Sequence, residues 1–173
     1  MNRIKSMQDH YVHLLKDIYN AEKQLVKALP QMARAAASPE LKEAFEAHGE
    51  ETKDQVTRLE KLFKTLGVQG SGEVCEATQG LVQEVHEFIA AKVDAQVRDA
   101  GLIACAQKIE HYEIASYGAL CAFAHTLGLE DHAMTLHDTL EEEKAADIIL
   151  SDLANGSINR MAADLDKSQH AQL

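Results

Sequence analysis

The chain has 173 residues, of which 46% are hydrophobic and 26% charged, and these values are typical of one compact globular domain. Its formal net charge of −11 argues against nucleic-acid partners and anionic membrane surfaces, which both need a basic patch. No apolar run approaches the roughly 18 residues of a membrane span, and the first ten residues lack the apolar segment of a secretory signal. We therefore expect a cytoplasmic protein with one domain over residues 1–173, ordered over about residues 4–155 and followed by a polar tail, residues 156–173.

Helical periodicity predicts all of the regular structure, and no strand pattern competes with it. A first helix is expected over about residues 4–36. Ser38 and Pro39 form the cap and first residue of a second helix, about residues 39–66, which stops at Gly67. A shorter helix over about residues 73–91 follows a Gly/Ser-rich loop. Two more long helices are expected, one over about residues 94–127 with Asp94 as its cap, and one over about residues 129–154 that ends at Asn155-Gly156.

The connections between these helices predict how they pack. Short turns join the first two long helices and the last two, so each pair is expected to be antiparallel. The middle connection is long and carries the short helix. One long crossover is a property of ferritin-like bundles. The predicted fold is therefore all-α, a ferritin-like four-helix bundle with a long crossover that carries an extra short helix.

An acid interrupts the apolar seam near the middle of each long helix. These four acids are Glu22, Glu51, Glu113 and Glu143. The spacing is 29 residues from the first to the second and 30 from the third to the fourth, which indicates a duplicated helix pair. Burying an ionised carboxylate costs several kcal/mol, and no Lys or Arg shares the seams. Two divalent cations would offset this cost, so the pattern predicts a two-metal site.

Three further residues are candidates for the same site, each with an ordinary alternative. Glu110 lies one turn before Glu113 and is otherwise a surface acid near His111. His48 can supply an imidazole or be a buried, hydrogen-bonded histidine. Asp147, one turn after Glu143, can bind a metal or orient a ligand. Tyr19 can hydrogen-bond a metal ligand or simply pack in the core. Glu141 and Glu142 are expected to face solvent.

The chain resembles the YciE/YciF-like group of bacterial ferritin-like proteins, which is linked to stress responses. The resemblance covers about residues 5–160 and is carried by five motifs: Asp17-Ile-Tyr-Asn-Ala-Glu22, Ala28-Leu-Pro30, His48-Gly-Glu-Glu-Thr52 with Gln55, Glu110-His-Tyr-Glu-Ile-Ala-Ser-Tyr-Gly118, and Leu140-Glu-Glu-Glu143 leading to Asp147. It implies a ferritin-like helical fold, a dimer and a carboxylate-rich metal site.

The sequence departs from the wider ferritin-like pattern of Glu-x-x-His on two helices. Asp54 and Ala146 stand where the two histidines are expected. A site built mostly of carboxylate oxygens suits hard cations. Two ions of Fe or of Mn are therefore expected, with Mg, Ca or Zn as alternatives.

Three functions remain open. The first is a dimetal protein that handles peroxide, oxygen or iron under stress, as a possible oxidoreductase or peroxidase. The second is a non-redox protein in which cations stabilise the bundle, and the third is a partner-binding helical protein with a protonated acid core. A homodimer is expected. Because the sequence has no Cys-x-x-Cys pair, a redox function would need a separate electron donor, which the sequence does not identify.

Overall fold

The structure, a computed structural model, describes residues 4–71 and 73–170, with side chains described through residue 165. Its helices are α1 (Met7–Ala35), α2 (Pro39–Leu66), α3 (Glu76–Ala90), α4 (Ala95–Thr126), α5 (Glu130–Leu153), a π-helical turn (Ala154–Ile158) and α6 (Asn159–His170). No strand occurs among the described residues. The predicted all-α bundle is confirmed, with α3 carried on the long crossover between α2 and α4.

The helix boundaries follow from local chemistry. The Ser38 hydroxyl accepts a hydrogen bond from the Leu41 amide, and Pro39 begins α2, where no amide donor is needed. Gly67 and Gly128 end their helices with φ of 65° and 72°, a left-handed conformation that favours glycine. Asp94 is the N-cap residue of α4, as predicted, but its side chain makes no capping hydrogen bond.

The sequence predicted that the last long helix ends at Asn155-Gly156, and this prediction is wrong. The chain continues through the π-helical turn into α6. The reason is that Ala154 and Ile158 are both buried in the apolar core, which holds the backbone against the bundle on either side of the polar residues between them. The predicted ordered core, about residues 4–155, is therefore too short. The last three residues of the predicted tail, and the first three residues of the chain, lie outside the described residues.

Two apolar clusters fill the bundle on either side of a polar layer. The Leu25 cluster includes Leu25, Met32, Phe45, Leu102, Ile109 and Leu150. The Leu15 cluster includes Tyr11, Leu15, Ile18, Leu59, Tyr117 and Leu140. Along every long helix, the chain passes from one cluster to the other near its middle. The polar residues described below occupy these crossing points, so they lie between two dry regions.

Two contacts fix the connections around this core. The Asp99 carboxylate, buried on α4, accepts hydrogen bonds of 2.8 Å from the Ala37 and Ser38 amides, and so holds the turn between α1 and α2. On the crossover, the Phe88 ring of α3 packs against Gly101 of α4. A Cβ atom at Gly101 would lie 2.0 Å from that ring, so the close approach requires a glycine. Among the described helices, none has the length and apolarity needed to cross a membrane.

Candidate metal centre

Four glutamates and one histidine form the polar layer, and they come from all four long helices. Glu22 lies on α1, His48 on α2, Glu110 and Glu113 on α4, and Glu143 on α5. The glutamates are at most 2% exposed and His48 is 7% exposed. Acidic side chains are almost never this buried without compensation.

Four of these residues are close enough to share one ion. One possible ligand atom from each of His48, Glu110, Glu113 and Glu143 lies within 4.8 Å of all the others. His48 Nε2 is 3.4 Å from Glu110 Oε1 and 3.6 Å from Glu143 Oε2. These donors, three carboxylates and one imidazole, are a set that Fe and Mn accept, and Zn also binds such groups.

Side chains from the opposite helix pair hold two of the glutamates. The Tyr117 hydroxyl of α4 donates to Glu22 Oε1 of α1. Gln55 Nε2 of α2 donates to Glu143 Oε1 of α5 at 2.5 Å, and also contacts Glu142 Oε2 at 3.1 Å. Arg58 in turn donates to both Glu142 oxygens at 2.6 Å. The orientation of Glu22 and Glu143 is therefore set from the other pair.

Several carboxylate oxygens of this layer have no hydrogen-bond partner. They are Glu22 Oε2, Glu110 Oε2, both oxygens of Glu113, and Glu143 Oε2. Buried polar atoms are almost always hydrogen-bonded, and leaving one without a partner costs about 1–3 kcal/mol. The four glutamates outnumber His48, the single basic side chain of the layer, so one imidazole cannot neutralise all of them. A divalent cation would bind the oxygens of Glu110, Glu113 and Glu143, which lie in one group with His48, so the residues present fit a metal.

The pKa values of the buried glutamates also indicate that their charge is not fully compensated. Burial raises the pKa of Glu22 to about 7. Burial, followed by the charges of Glu22 and Glu143, raises the pKa of Glu113 well above its usual range. Burial also raises the pKa of Glu143 well above its usual range. Without a cation, burial therefore favours the protonated form of these three carboxyls.

The pKa of His48 is also raised, but in its case the raised pKa favours the charged form. Burial alone would lower the pKa of His48, but the carboxylates of Glu110, Glu51 and Glu143 together raise it well above its usual range. Without a cation, His48 therefore carries a positive charge that neutralises part of the cluster. A metal would have to displace this proton before the imidazole could bind it.

The prediction that Glu51 is buried in the seam of α2 is wrong. Its side chain is 52% exposed, and Oε2 lies 3.5 Å from His48 Nδ1 at the edge of the layer. The buried face of α2 instead runs through His48, Thr52 and Gln55. A turn of 3.6 residues lets the seam step from residue 48 to either 51 or 52, and packing selects the neutral Thr52, whose hydroxyl donates to the His48 carbonyl.

Other predicted roles have mixed outcomes. Glu110 is buried in the cluster rather than exposed beside His111. Asp147 is partly buried, and its carboxylate contacts Gln107 and His111 at 3.0 and 3.2 Å, outside the four-residue group. Tyr19 donates to Glu60, so the alternative that it bonds a metal ligand is wrong. Glu142 does not simply face solvent, because Arg58 binds it.

Three residues of the site were not predicted as such. Gln55 and Tyr117 both stand in the apolar seams, where a polar side chain needs a partner, and this was the available signal. Arg58 could not be found from periodicity. It reaches the layer only through Glu142, and nothing in the spacing of a single helix reports on a partner 84 residues away.

The geometry defines a four-helix bundle with a buried group of glutamates and a histidine that can hold a metal ion. Residues 6–163 match the family described as a domain of unknown function, DUF892. The chain is 46% identical to protein YciF of Escherichia coli K12 over 160 residues, which are 92% of this chain and 96% of that protein. The chain belongs to the DUF892 family and is a homologue of YciF.

Solved structures give the same answer. The crystal structure of the E. coli stress protein YciF matches with a TM-score of 0.87 at 46% identity, covering 90% of this chain and 99% of that one. YcfI from Rhodopseudomonas palustris, described as a candidate structural protein, matches with a TM-score of 0.84 at 44% identity, covering 87% and 96%. A protein from Xanthomonas campestris pv. campestris matches with a TM-score of 0.73 at 25% identity, covering 95% and 99%.

Proposed function

We propose that this protein binds two divalent cations, Fe or Mn, in its polar layer and acts in the stress response by handling peroxide, oxygen or iron. The observation that carries this proposal is the set of five buried carboxylate oxygens without a hydrogen bond, four of which belong to Glu110, Glu113 and Glu143 in one group with His48. The homologue in E. coli is described as a stress protein, which supports the setting of the activity.

The residues divide between two ions as follows. His48, Glu110, Glu113 and Glu143 would hold the first, because their donor atoms already lie together. Glu22 would hold the second and share Glu113 with the first, because both oxygens of Glu113 lack a partner. Glu51, whose Oε2 lies 3.5 Å from His48 Nδ1, would be a further ligand at the edge of the layer. When bound, Fe or Mn supplies electrons for reduction of an oxidant.

The protein itself contributes orientation and a dry environment. Tyr117 and Gln55 hold one oxygen each of Glu22 and Glu143, leaving the other oxygen of each for a cation. The apolar clusters on both sides lower the local dielectric constant, which strengthens the electrostatic interactions in the layer. Such outer contacts typically change metal affinity by about 10–100-fold when they are removed.

A second function has its own support. Both histidines of the ferritin-like Glu-x-x-His pattern are absent, and a relative is described as a candidate structural protein. In this alternative Mg, Ca or Zn occupies the same oxygens and only stabilises the bundle.

The first experiment is elemental analysis of protein purified without chelator or metal-affinity resin. We expect close to two Fe or Mn per chain, with consumption of peroxide or oxygen that is lost in Glu113→Ala. Two Mg, Ca or Zn, with a raised melting temperature and no redox change, would favour the second function. No metal, even after addition of Fe(II) or Mn(II), would refute the proposed metal site.

We further propose that the protein works as a homodimer in the cytoplasm and receives electrons from a separate donor. Two exposed apolar side chains of α5, Met134 and Ile148, support an association surface. Sedimentation of the wild type should give twice the mass of one chain. Sedimentation as a monomer at micromolar concentration would contradict the dimer without affecting the metal site.

A further inference from the structure

A pocket opens from the surface between α2 and α5 and ends at the candidate metal centre. Its volume is about 70 Å³. Its inner end is formed by His48 and Glu110, and its mouth by the exposed side chains of Glu51 and Ile149. The remaining lining is apolar, from Ala44, Phe45, Ala47, Ala146 and Leu150.

The inner end offers polar atoms that make no hydrogen bond. Glu110 Oε2 and His48 Nδ1 are both buried and make no hydrogen bond. Both residues also belong to the group that can hold an ion. A molecule that enters the pocket therefore arrives directly at a proposed metal ligand.

The pocket exists because a small side chain stands where a larger one would close it. Ala146 occupies the position three residues after Glu143, where the ferritin-like pattern has a histidine. An imidazole there would extend from α5 towards the space that the pocket now occupies. The missing histidine thus provides access as well as removing a ligand.

Size and charge limit what can enter. The volume is roughly half of the about 150 Å³ cavity that admits benzene in a well-studied case, which favours a molecule smaller than an aromatic ring. The apolar walls offer no partner to a charged group, and Glu51 at the mouth repels anions. We propose that this pocket admits a small uncharged molecule of two heavy atoms, dioxygen or hydrogen peroxide, to the metal centre. This inference rests on the proposed function and adds the route by which a small oxidant reaches the metal centre.

The first test uses metal-free protein and does not depend on activity. Dissolved dioxygen enhances the relaxation of nearby methyl groups in NMR spectra of methyl-labelled protein. We expect the buried methyls of Leu150, in the pocket wall, to show clearly greater enhancement than the buried methyls of Leu25 in the same cluster. Filling the pocket with Ala146→Leu should abolish the difference. The control Ala145→Leu places the same side chain at the neighbouring exposed position and should preserve it.

The second test uses protein loaded with Fe(II) or Mn(II). Ala146→Leu should slow peroxide or oxygen consumption about tenfold, equivalent to about 1.4 kcal/mol in the barrier, with metal affinity unchanged. If the variant slows consumption of just one of the two oxidants, that oxidant is the one that enters through the pocket. Equal enhancement at Leu150 and Leu25 in the wild type, or equal rates in the two variants, would overturn the proposal. If Ala146→Leu does not fold, Ala47→Leu fills the pocket from its exposed side. A wild type that takes up no metal would refute the proposed function, while the relaxation test would still decide whether small uncharged molecules enter.

Discussion

The two helix pairs contribute unequally to the polar layer, although their sequences predict equal shares. The α4–α5 pair supplies Glu110, Glu113 and Glu143, all buried. The α1–α2 pair supplies one buried carboxylate, Glu22, together with His48, while Glu51 is half exposed. Negative charge is concentrated in the second pair, and the first pair brings the imidazole that offsets it.

The hydrogen bonds that orient the glutamates, in contrast, are equally divided, because each pair donates one to a glutamate of the other pair. Tyr117 of the second pair binds Glu22 of the first, and Gln55 of the first pair binds Glu143 of the second. Each pair therefore holds a ligand whose orientation is set by a side chain of the other pair.

The largest effect expected is a pH dependence of stability that reverses with metal. In metal-free protein, the pKa of Glu22 rises from 4.5 to about 7 on folding. Its stabilising contribution is complete below pH 4.5 and is lost as pH rises through 7, a loss on the order of 3 kcal/mol. Glu113 and Glu143 shift in the same direction and add to this loss.

The measurement is thermal melting at pH 5.5 and 8, with chelator and with Mn(II). With chelator the protein should melt at a lower temperature at pH 8. With Mn(II) it should melt at a lower temperature at pH 5.5, because protons compete with the metal for the carboxylates. The same pH trend in both series would mean that the carboxylates do not bind the ion.

Next in size is the difference between equivalent acids of the two pairs. Glu113→Gln removes a fully buried carboxylate with no other partner and should weaken Mn(II) binding about 100-fold or more. Glu51→Gln changes an exposed side chain at the edge of the layer and should weaken it by less than about tenfold. Isothermal titration calorimetry of both variants measures the Mn(II) affinity. Equal losses of affinity would mean that the two helix pairs contribute equally to the site.

A contact between the pairs should have an effect of intermediate size. Asp99→Ala leaves the Ala37 and Ser38 amides without their acceptor and should cost about 2–3 kcal/mol of unfolding free energy. Glu87→Ala, at an exposed position of α3, is a control that should cost less than about 0.5 kcal/mol. Urea unfolding measures both, and a change below about 1 kcal/mol for Asp99→Ala would show that solvent replaces the carboxylate.

The smallest effect expected tests one of the hydrogen bonds between the two pairs. Tyr117→Phe removes the donor to Glu22 and should cost about 1.5 kcal/mol at pH 8, where Glu22 is ionised, and less at pH 5.5. Tyr19→Phe removes a hydroxyl that serves exposed Glu60 and should change little at either pH. Equal costs for Tyr117→Phe at both pH values would mean that its hydroxyl does not act on the charge of Glu22.

The sequence predicted the bundle well because long-range packing needs only the apolar seams and the turns between them. Glu22, Glu113 and Glu143 were found because each interrupts an apolar seam. Glu51 was misplaced because periodicity cannot choose between adjacent residues 51 and 52, and only packing of α2 on its neighbours decides. Asn155-Gly156 misled for a similar reason, since burial of Ile158 outweighs the local tendency to end a helix.

The seat of Phe88 on Gly101 has a consequence for how relatives vary. A glycine within a helix costs about 1 kcal/mol relative to alanine, so this one persists only while the ring needs its space. Where a homologue carries a larger residue at this position of α4, we expect a smaller one in place of the phenylalanine on the crossover. Positions 88 and 101 should therefore change together among homologues, because the packing of the crossover helix on α4 depends on both.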